Sequence, residues 1–204
     1  MSIVRLAHAL VALSALAGIA LHYAILLTRD VDMLYYSIRF LSYFTIQTNA
    51  LVAAAAIGVA LGRGRLHRWA TRPAVRTAIS LHILVVAIVF HLLLGHMVPP
   101  GALGWWGNLL LHTVTPAAWL ACWIAFPPHG GIDPVAPLRW IVFPLIFAGW
   151  SLARGAIDGF YPYFFLDAGQ FGYARTLANI AALGFLFFAV GHALRAIDLR
   201  LART

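Results

Sequence analysis

The sequence contains no lysine, no glutamate and a single cysteine, and only 10% of its 204 residues are charged. An average soluble domain carries about 25% charged residues, so a water-soluble globule of this composition would have too little polar surface to cover itself. The composition therefore excludes a soluble enzyme or binding module. The lone Cys122 also excludes an internal disulfide and any cysteine-based zinc or iron–sulfur site.

The charges that remain are all arginine and aspartate. Fourteen arginines and six aspartates give a formal net charge of +8. A basic chain can bind nucleic acid, but that function needs a solvated basic face, and most of these arginines lie between long apolar runs. We therefore predict no nucleic-acid partner and interpret the arginine excess as a marker of membrane sidedness.

Apolar sequence is abundant and makes up 63% of the chain. A bilayer core of about 30 Å takes about twenty apolar residues of helix, and six such runs occur: Val4 to Leu27, Phe40 to Leu61, Val75 to Met97, Gly107 to Phe126, Leu138 to Leu152 and Tyr173 to Leu194. The first run is too long for a signal-peptide core, so we expect a retained span. Pro144 is expected to kink the fifth. The prediction is an all-α, six-transmembrane-helix bundle forming one domain over residues 1–204.

Loop arginines orient the predicted bundle. If the N-terminus is cytoplasmic, the inner segments carry ten arginines and two aspartates, whereas the outer segments carry four of each. The entire net charge then lies on one face. This asymmetry predicts a polytopic, multi-pass membrane protein with both termini cytoplasmic.

Polar side chains inside the predicted spans concentrate toward the outer face. The fourth span carries His112, and the second carries a polar group near its outer end: Thr45, Gln47, Thr48 and Asn49. Thr45 and His112 each lie about five residues, or about 7 to 8 Å, inside their predicted outer helix ends. Polar groups within a membrane are costly and usually face the protein interior. We therefore expect a site where the second and fourth spans pack together.

Two predicted outer loops are aromatic. The segment Val98 to Trp106 is uncharged and holds two tryptophans, and the segment Gly159 to Phe165 is rich in tyrosine and phenylalanine. We expect both segments to form a lipid-facing lid at the membrane interface. Arg154 and Arg175 flank the second segment and are candidates for binding an anion.

Two short motifs resemble a known family: Tyr-Phe-Thr at 43–45 followed by Gln-Thr-Asn at 47–49, and His112 within Leu-Leu-His-Thr-Val-Thr-Pro. The family includes the androgen-induced and androgen-dependent tissue-factor-pathway-inhibitor-regulating proteins and their bacterial relatives, and the resemblance covers nearly the whole chain in topology. Its animal members are membrane threonine hydrolases of fatty acid esters of hydroxy fatty acids. The resemblance implies a lipid substrate, a bacterial inner-membrane location, Thr45 as nucleophile and His112 as base, with Thr48 as the alternative nucleophile.

This chemistry is physically coherent because a neutral imidazole can take the proton of a threonine hydroxyl and so make it nucleophilic. We expect Thr45 to attack the ester carbonyl and His112 to act as base. An oxyanion or a substrate carboxylate also needs hydrogen-bond donors, for which the candidates are Asn49, Arg154 and Arg175. No metal and no cofactor are expected, and the sequence does not determine the oligomeric state.

Histidine spacing supports an alternative function. His8 and His22 are fourteen residues apart on the first span, and His82 and His96 have the same spacing on the third. Fourteen helical steps return to nearly the same face, about 21 Å along the axis. Two spans of the same direction could then pair His8 with His82 and His22 with His96 around two haem b groups, as membrane cytochromes do. The alternative prediction is therefore an electron-transfer haem protein.

Overall fold

A computed structural model describes residues 2–97, 101 and 103–203, and within these ranges all regular secondary structure is helical. The α-helices are α1 (Ile3–Leu27), α2 (Met33–Leu41), α3 (Phe44–Leu61), α4 (Gly64–Ala70), α5 (Pro73–Val89), α6 (Leu103–Leu109), α7 (Thr115–Ala125), α8 (Ala136–Trp140), α9 (Val142–Asp158) and α10 (Ala168–Leu201). Two π-helical segments, Phe90–Leu94 and Leu110–Val114, follow α5 and α6. Short 3-10 turns lie at Gly95–Met97 and Phe164–Leu166.

Within the described ranges, six helical stretches are long and apolar enough to cross a membrane, which indicates a multi-pass integral membrane protein. They are Ile3–Leu27, Phe44–Leu61, Pro73–Met97, Leu103–Ala125, Ala136–Asp158 and Ala168–Leu201. The last two are longer than predicted because the helices continue beyond the apolar runs into charged and polar residues. A backbone bend at Gly172, with a φ of 73°, marks the early part of α10.

The predicted second span begins too early, since Phe40 belongs to the short helix α2 and α3 begins only at Phe44. Ser42 ends α2, and its hydroxyl donates to the carbonyl oxygen of Ile38 at 2.7 Å. Tyr43 then has extended backbone angles before α3 starts. The break places Thr45 in the first turn of α3, where backbone N–H groups have no partner within the helix.

The fifth span is interrupted near its start, at Ile141, between α8 and α9. Pro144 follows in the first turn of α9, which begins at Val142. Proline has no N–H to donate to the carbonyl oxygen of Trp140, four residues earlier, and that oxygen accepts instead from His82 Nε2 at 3.0 Å. The interruption agrees with the predicted effect of Pro144.

Of the two segments expected to form a lid, only the second is described in full. Val98, Pro99, Pro100 and Ala102 of the first lie outside the described residues, and the tryptophans of that segment belong to α6. The second segment is a loop between α9 and α10 that contains the Phe164–Leu166 turn, and it folds back onto the start of α3.

Side-chain contacts give the direction of the helices. Arg5, at the start of α1, donates to the carbonyl oxygens of Ala60 and Leu61, at the end of α3, at 2.6 and 3.0 Å. The His8 ring contacts the ring of Phe126, just after α7. The start of α1 and the ends of α3 and α7 therefore lie together at what we call the terminal end of the bundle. The start of α3, with Thr45, lies at the opposite end.

A buried carboxylate ties the terminal end together. Asp198 of α10 is fully buried and accepts hydrogen bonds from the Thr77 hydroxyl at 3.2 Å, from His129 Nδ1 at 3.1 Å and from the Gly130 N–H at 2.6 Å. A buried carboxylate with several donors is a stable arrangement. It joins α5, α10 and the loop between α7 and α8.

The loop after α9 packs over a glycine, and this contact yields a stability prediction. The Tyr161 ring lies directly against Gly155, so a Cβ at that position would overlap the ring atoms. We expect Gly155→Ala to lower the free energy of unfolding by about 1 to 3 kcal/mol, as overpacking does. Thermal unfolding of the purified protein measures the effect.

Gly149 supplies the matched control, because it lies in the same helix and a Cβ there meets no atom within 4 Å. Gly149→Ala is expected to leave stability unchanged or slightly raised. Equal destabilisation by the two variants would contradict the assignment.

Candidate active site

Thr45 and His112 meet at the end of the bundle opposite the terminal end. Thr45 Oγ1 lies 3.3 Å from His112 Nε2, within hydrogen-bond reach. The two residues are only 8% and 6% exposed. The structure thus brings together two residues that are 67 positions apart, and it places the hydroxyl against a ring nitrogen that can accept its proton.

The sequence predicts that Thr45 and His112 each lie about five residues from the outer end of their helix, and the observed positions differ from this. Thr45 is the second residue of α3, and His112 is nine residues beyond the start of α6. They meet nevertheless, and His112 lies in the π-helical segment Leu110–Val114. Such segments are rare and occur frequently at functional sites.

Three contacts set the orientation of the His112 ring. His112 Nδ1 lies 3.0 Å from the carbonyl oxygen of Asn108, which can only accept, so Nδ1 carries the hydrogen. Nε2 then has a free lone pair that faces Thr45. The ring also stacks on Phe90, with centroids 3.7 Å apart and planes 12° from parallel. The imidazole therefore has the tautomer that a general base for Thr45 requires.

Tyr163 is a third member of the site that the sequence analysis missed. Its hydroxyl lies 3.2 Å from Thr45 Oγ1 and accepts a hydrogen bond from the Thr45 N–H, also at 3.2 Å. Desolvation raises the pKa of Tyr163 to about 12, so the phenol stays protonated at neutral pH. The Tyr-Pro-Tyr run was predicted only as part of a lid, because nothing local indicates a contact across 118 positions.

Removal of the Tyr163 hydroxyl tests its part in the site. We expect Tyr163→Phe to lower the turnover of an ester substrate about tenfold to hundredfold, because the nucleophile and its N–H lose a polar neighbour. The pH profile of wild-type turnover should show no step from ionisation of the Tyr163 phenol below about pH 10, and the profile of Tyr163→Phe should contain no such step. Steady-state kinetics against pH measures both. Unchanged turnover in Tyr163→Phe would remove the residue from the site.

Asn49 has a different environment from the one that an oxyanion donor needs. Its Nδ2 donates to the carbonyl oxygens of Thr45 at 2.9 Å and Leu111 at 3.2 Å, and the residue is fully buried. These bonds connect α3 to the π-helical segment that carries His112. The geometry favours a positioning role for Asn49.

Thr48 is fully buried, and its hydroxyl has no hydrogen-bond partner among the described residues. It belongs to neither of the two cavities that reach Thr45. Of the two threonines proposed as nucleophile, the geometry therefore favours Thr45.

The two arginines predicted to bind an anion lie elsewhere. Arg154 donates to Asp158 at 3.0 Å and to the Ser42 hydroxyl at 2.8 Å, so it holds the end of α9 against the α2–α3 break. Arg175 is exposed, and its guanidinium lies over the Phe171 ring. Neither residue lines a cavity that reaches Thr45.

Two cavities of different character share Thr45, His112 and Tyr163 in their walls. The first, which we call the apolar cleft, has a volume of about 80 Å³ and lies between α3, α5, α9 and α10. Apart from the three shared polar residues, its walls are apolar and include Val86, Leu145 and Phe187. A cleft of this kind suits an alkyl chain.

The second cavity, which we call the polar chamber, has a volume of about 560 Å³ and shares Thr45 with the apolar cleft. Its polar and charged lining residues, besides the shared three, are His22, Arg29, Tyr36, Arg39, Tyr43 and Asn108. From sequence, His22 is a candidate only as a haem ligand, and the two arginines count only as outer charges. An ester carbonyl at Thr45 would therefore have an apolar side and a polar, cationic side.

The histidines of the alternative haem prediction have different neighbours. The His8 ring contacts Trp119 and Phe126, whereas His82 Nε2 donates to the carbonyl oxygen of Trp140 at 3.0 Å and its ring contacts other aromatic side chains. In the second pair, His22 lines the polar chamber and His96 is exposed. These contacts favour packing roles for His8 and His82.

Comparison of the chain with known proteins gives no match. This holds for protein-family models, for curated proteins and for solved structures. The family resemblance noted in the sequence therefore stays a prediction that rests on its short motifs, and the assignment of function depends on the geometry of the site.

Proposed function

We propose that the protein is an intramembrane hydrolase of lipid esters, with Thr45 as nucleophile and His112 as general base. One observation carries this proposal: the 3.3 Å contact between Thr45 Oγ1 and His112 Nε2 lies where the apolar cleft and the polar chamber meet. A threonine and a correctly oriented histidine in a cavity are the parts that acyl transfer needs.

The reaction follows from this geometry. Thr45 Oγ1 attacks the ester carbonyl carbon while its proton moves to His112 Nε2. The tetrahedral intermediate collapses, and the same proton goes to the departing alcohol, which leaves an acyl-threonine. A water molecule then attacks the acyl carbon with His112 again as base, and the carboxylic acid leaves as Thr45 regains its proton. Besides the substrate, only groups of this chain and water take part.

The negative charge on the carbonyl oxygen needs hydrogen-bond donors close to Thr45. The Tyr163 hydroxyl and the Thr45 N–H, which lie 3.2 Å apart, are the nearest donors to the nucleophile. Both become available to the substrate oxygen when the bond between them opens. The N–H lies in the first turn of α3, where the helix dipole favours negative charge. Tyr163 and the Thr45 backbone thus take the role that the sequence analysis gave to Asn49.

The substrate and location rest on the family resemblance and on charge. The resemblance favours fatty acid esters of hydroxy fatty acids, and the apolar cleft suits the acyl chain of such an ester. The arginine distribution favours both termini in the cytoplasm. In a bacterial inner membrane, this orientation would put Thr45 and the polar chamber in the outer half of the bilayer.

An irreversible acylation mimic tests the proposal. Purified protein in neutral detergent is treated with an alkyl fluorophosphonate, which should phosphonylate Thr45 Oγ1 and release fluoride. We expect mass spectrometry to place the adduct on Thr45, and His112→Gln to slow its formation strongly because the base is lost. An adduct on Thr48, or equal labelling of His112→Gln, would contradict the mechanism.

A further inference from the structure

Two arginines of the polar chamber have no anionic partner. Arg29 and Arg39 both line the chamber, and among the described residues no carboxylate lies within 4.0 Å of either guanidinium. Neither guanidinium donates a hydrogen bond to a described residue. Asp158 interacts with Arg39 only at longer range, since its carboxylate is held by Arg154 and by the Phe160 N–H.

Arg39 is held in place by aromatic rings. Its guanidinium carbon lies 4.0 Å from the centre of the Phe160 ring and 5.1 Å from that of Tyr36. Stacking on aromatic faces orients the planar guanidinium but leaves its N–H groups free. Arg39 is half-buried and lines the polar chamber, so its free N–H groups are available to an anion there.

The aromatic rings also connect Arg39 to the reacting group. Phe160 contacts Tyr43 with ring centroids 6.0 Å apart, and Tyr43 contacts Tyr163 at 5.7 Å. Tyr163 bonds to Thr45, and Arg39, Tyr43 and Tyr163 all line the polar chamber. A ligand held by Arg39 therefore lies in a cavity that also contains the nucleophile.

We infer that Arg39, assisted by Arg29, binds the anionic group of an amphiphilic ester whose acyl chain occupies the apolar cleft. The anion belongs to the alcohol half of the ester, which leaves through the polar chamber. The division into acyl and alcohol halves rests on the proposed function, whereas the anion site does not. A carboxylate and a phosphate both match the guanidinium fork, so the shared chemistry is a single-chain amphiphile with an anionic oxygen group.

Equilibrium binding to the Thr45→Ala protein tests the site without turnover. The protein is placed in nanodiscs of zwitterionic lipid and titrated calorimetrically with dodecanoate, dodecyl phosphate and dodecanol, which share one chain length. We expect the two anions to bind more tightly than the alcohol. A preference for dodecanoate over dodecyl phosphate would assign the natural group as a carboxylate, and the reverse preference as a phosphate.

Arginine variants in the same background locate the anion. Arg39→Gln is expected to weaken anion binding about tenfold to hundredfold and to leave dodecanol unchanged. Arg39→Lys should recover part of the loss because it keeps the charge without the fork. Arg29 is exposed, so Arg29→Gln should fold normally and cause a smaller loss that salt reduces. Arg65→Gln removes an exposed charge from the terminal end and should change nothing.

Three results would overturn the inference. The first is equal binding of dodecanoate and dodecanol to the Thr45→Ala protein with both arginines intact. The second is unchanged anion binding in Arg39→Gln and Arg29→Gln. The third is a loss of anion binding in Arg175→Gln and not in Arg39→Gln. If ester hydrolysis survives Thr45→Ala while anion binding still depends on Arg39, the proposed mechanism fails and the anion site stands.

Discussion

Thr45→Ala is expected to lower ester hydrolysis about a thousandfold or more, with no change in the fold. The substitution removes the hydroxyl proposed to attack the carbonyl, and loss of a nucleophile removes the covalent pathway entirely. A thousandfold loss corresponds to about 4 kcal/mol of transition-state stabilisation. Release of fatty acid from a lipid ester by purified protein in detergent micelles measures the change. Thr45→Ser should keep much of the activity because it keeps the hydroxyl.

Thr48→Ala is the matched control for this experiment. Thr48 lies one turn further along α3, and its buried hydroxyl has no partner among the described residues. We expect near wild-type turnover and a stability change below about 1 kcal/mol, since no hydrogen bond is broken. If Thr48→Ala abolished hydrolysis while Thr45→Ala did not, the nucleophile would be Thr48 and the geometric assignment would be wrong.

His112→Gln is expected to lower kcat about a hundredfold to ten-thousandfold and to change KM little. Glutamine can still donate a hydrogen bond, but it cannot accept and return the proton of Thr45. The effect should therefore fall on the chemical step and not on binding. Combining it with Thr45→Ala should add almost nothing, because the two residues act as a unit.

His91→Gln is the control for His112→Gln. His91 lies in the other π-helical segment, is exposed and bonds to the Thr113 hydroxyl at 3.1 Å, and it lines neither cavity. Its replacement is expected to leave kcat within about twofold of wild type, as for an exposed surface substitution. An equal loss in His91→Gln and His112→Gln would mean that the π-helical packing, and not the base, had been damaged.

Much of the helical architecture could be predicted because a bilayer imposes a length on apolar helices. The six runs appear as six candidate spans, and errors are confined to their ends. The interruption of the fifth span near Pro144 agrees with the prediction, whereas the break between α2 and α3 is not predicted, since a local hydrogen bond such as that of the Ser42 hydroxyl does not show in an apolar run.

The site was predictable only in part. Thr45 and His112 stood out because polar residues in apolar spans are costly and few. Tyr163 and Arg39 did not stand out, since aromatic and arginine residues are ordinary at a membrane interface. Arg154 is a candidate from sequence because it flanks the aromatic outer segment, whereas the structure pairs Arg154 with Asp158 and places Arg39 in the wall of the polar chamber.

The sequence by itself determined the class of protein. Its apolar length sets how many helices can cross a membrane, and the few polar residues within those helices mark where a site can lie. The tertiary structure alone decided which polar atoms meet. His112, in a π-helical segment, lies 3.3 Å from Thr45 Oγ1, and Tyr163, in a loop folded back onto the start of α3, lies 3.2 Å from it. Hydrogen bonding and cavity shape act over a few ångströms between residues far apart in the chain, and no local pattern encodes such distances.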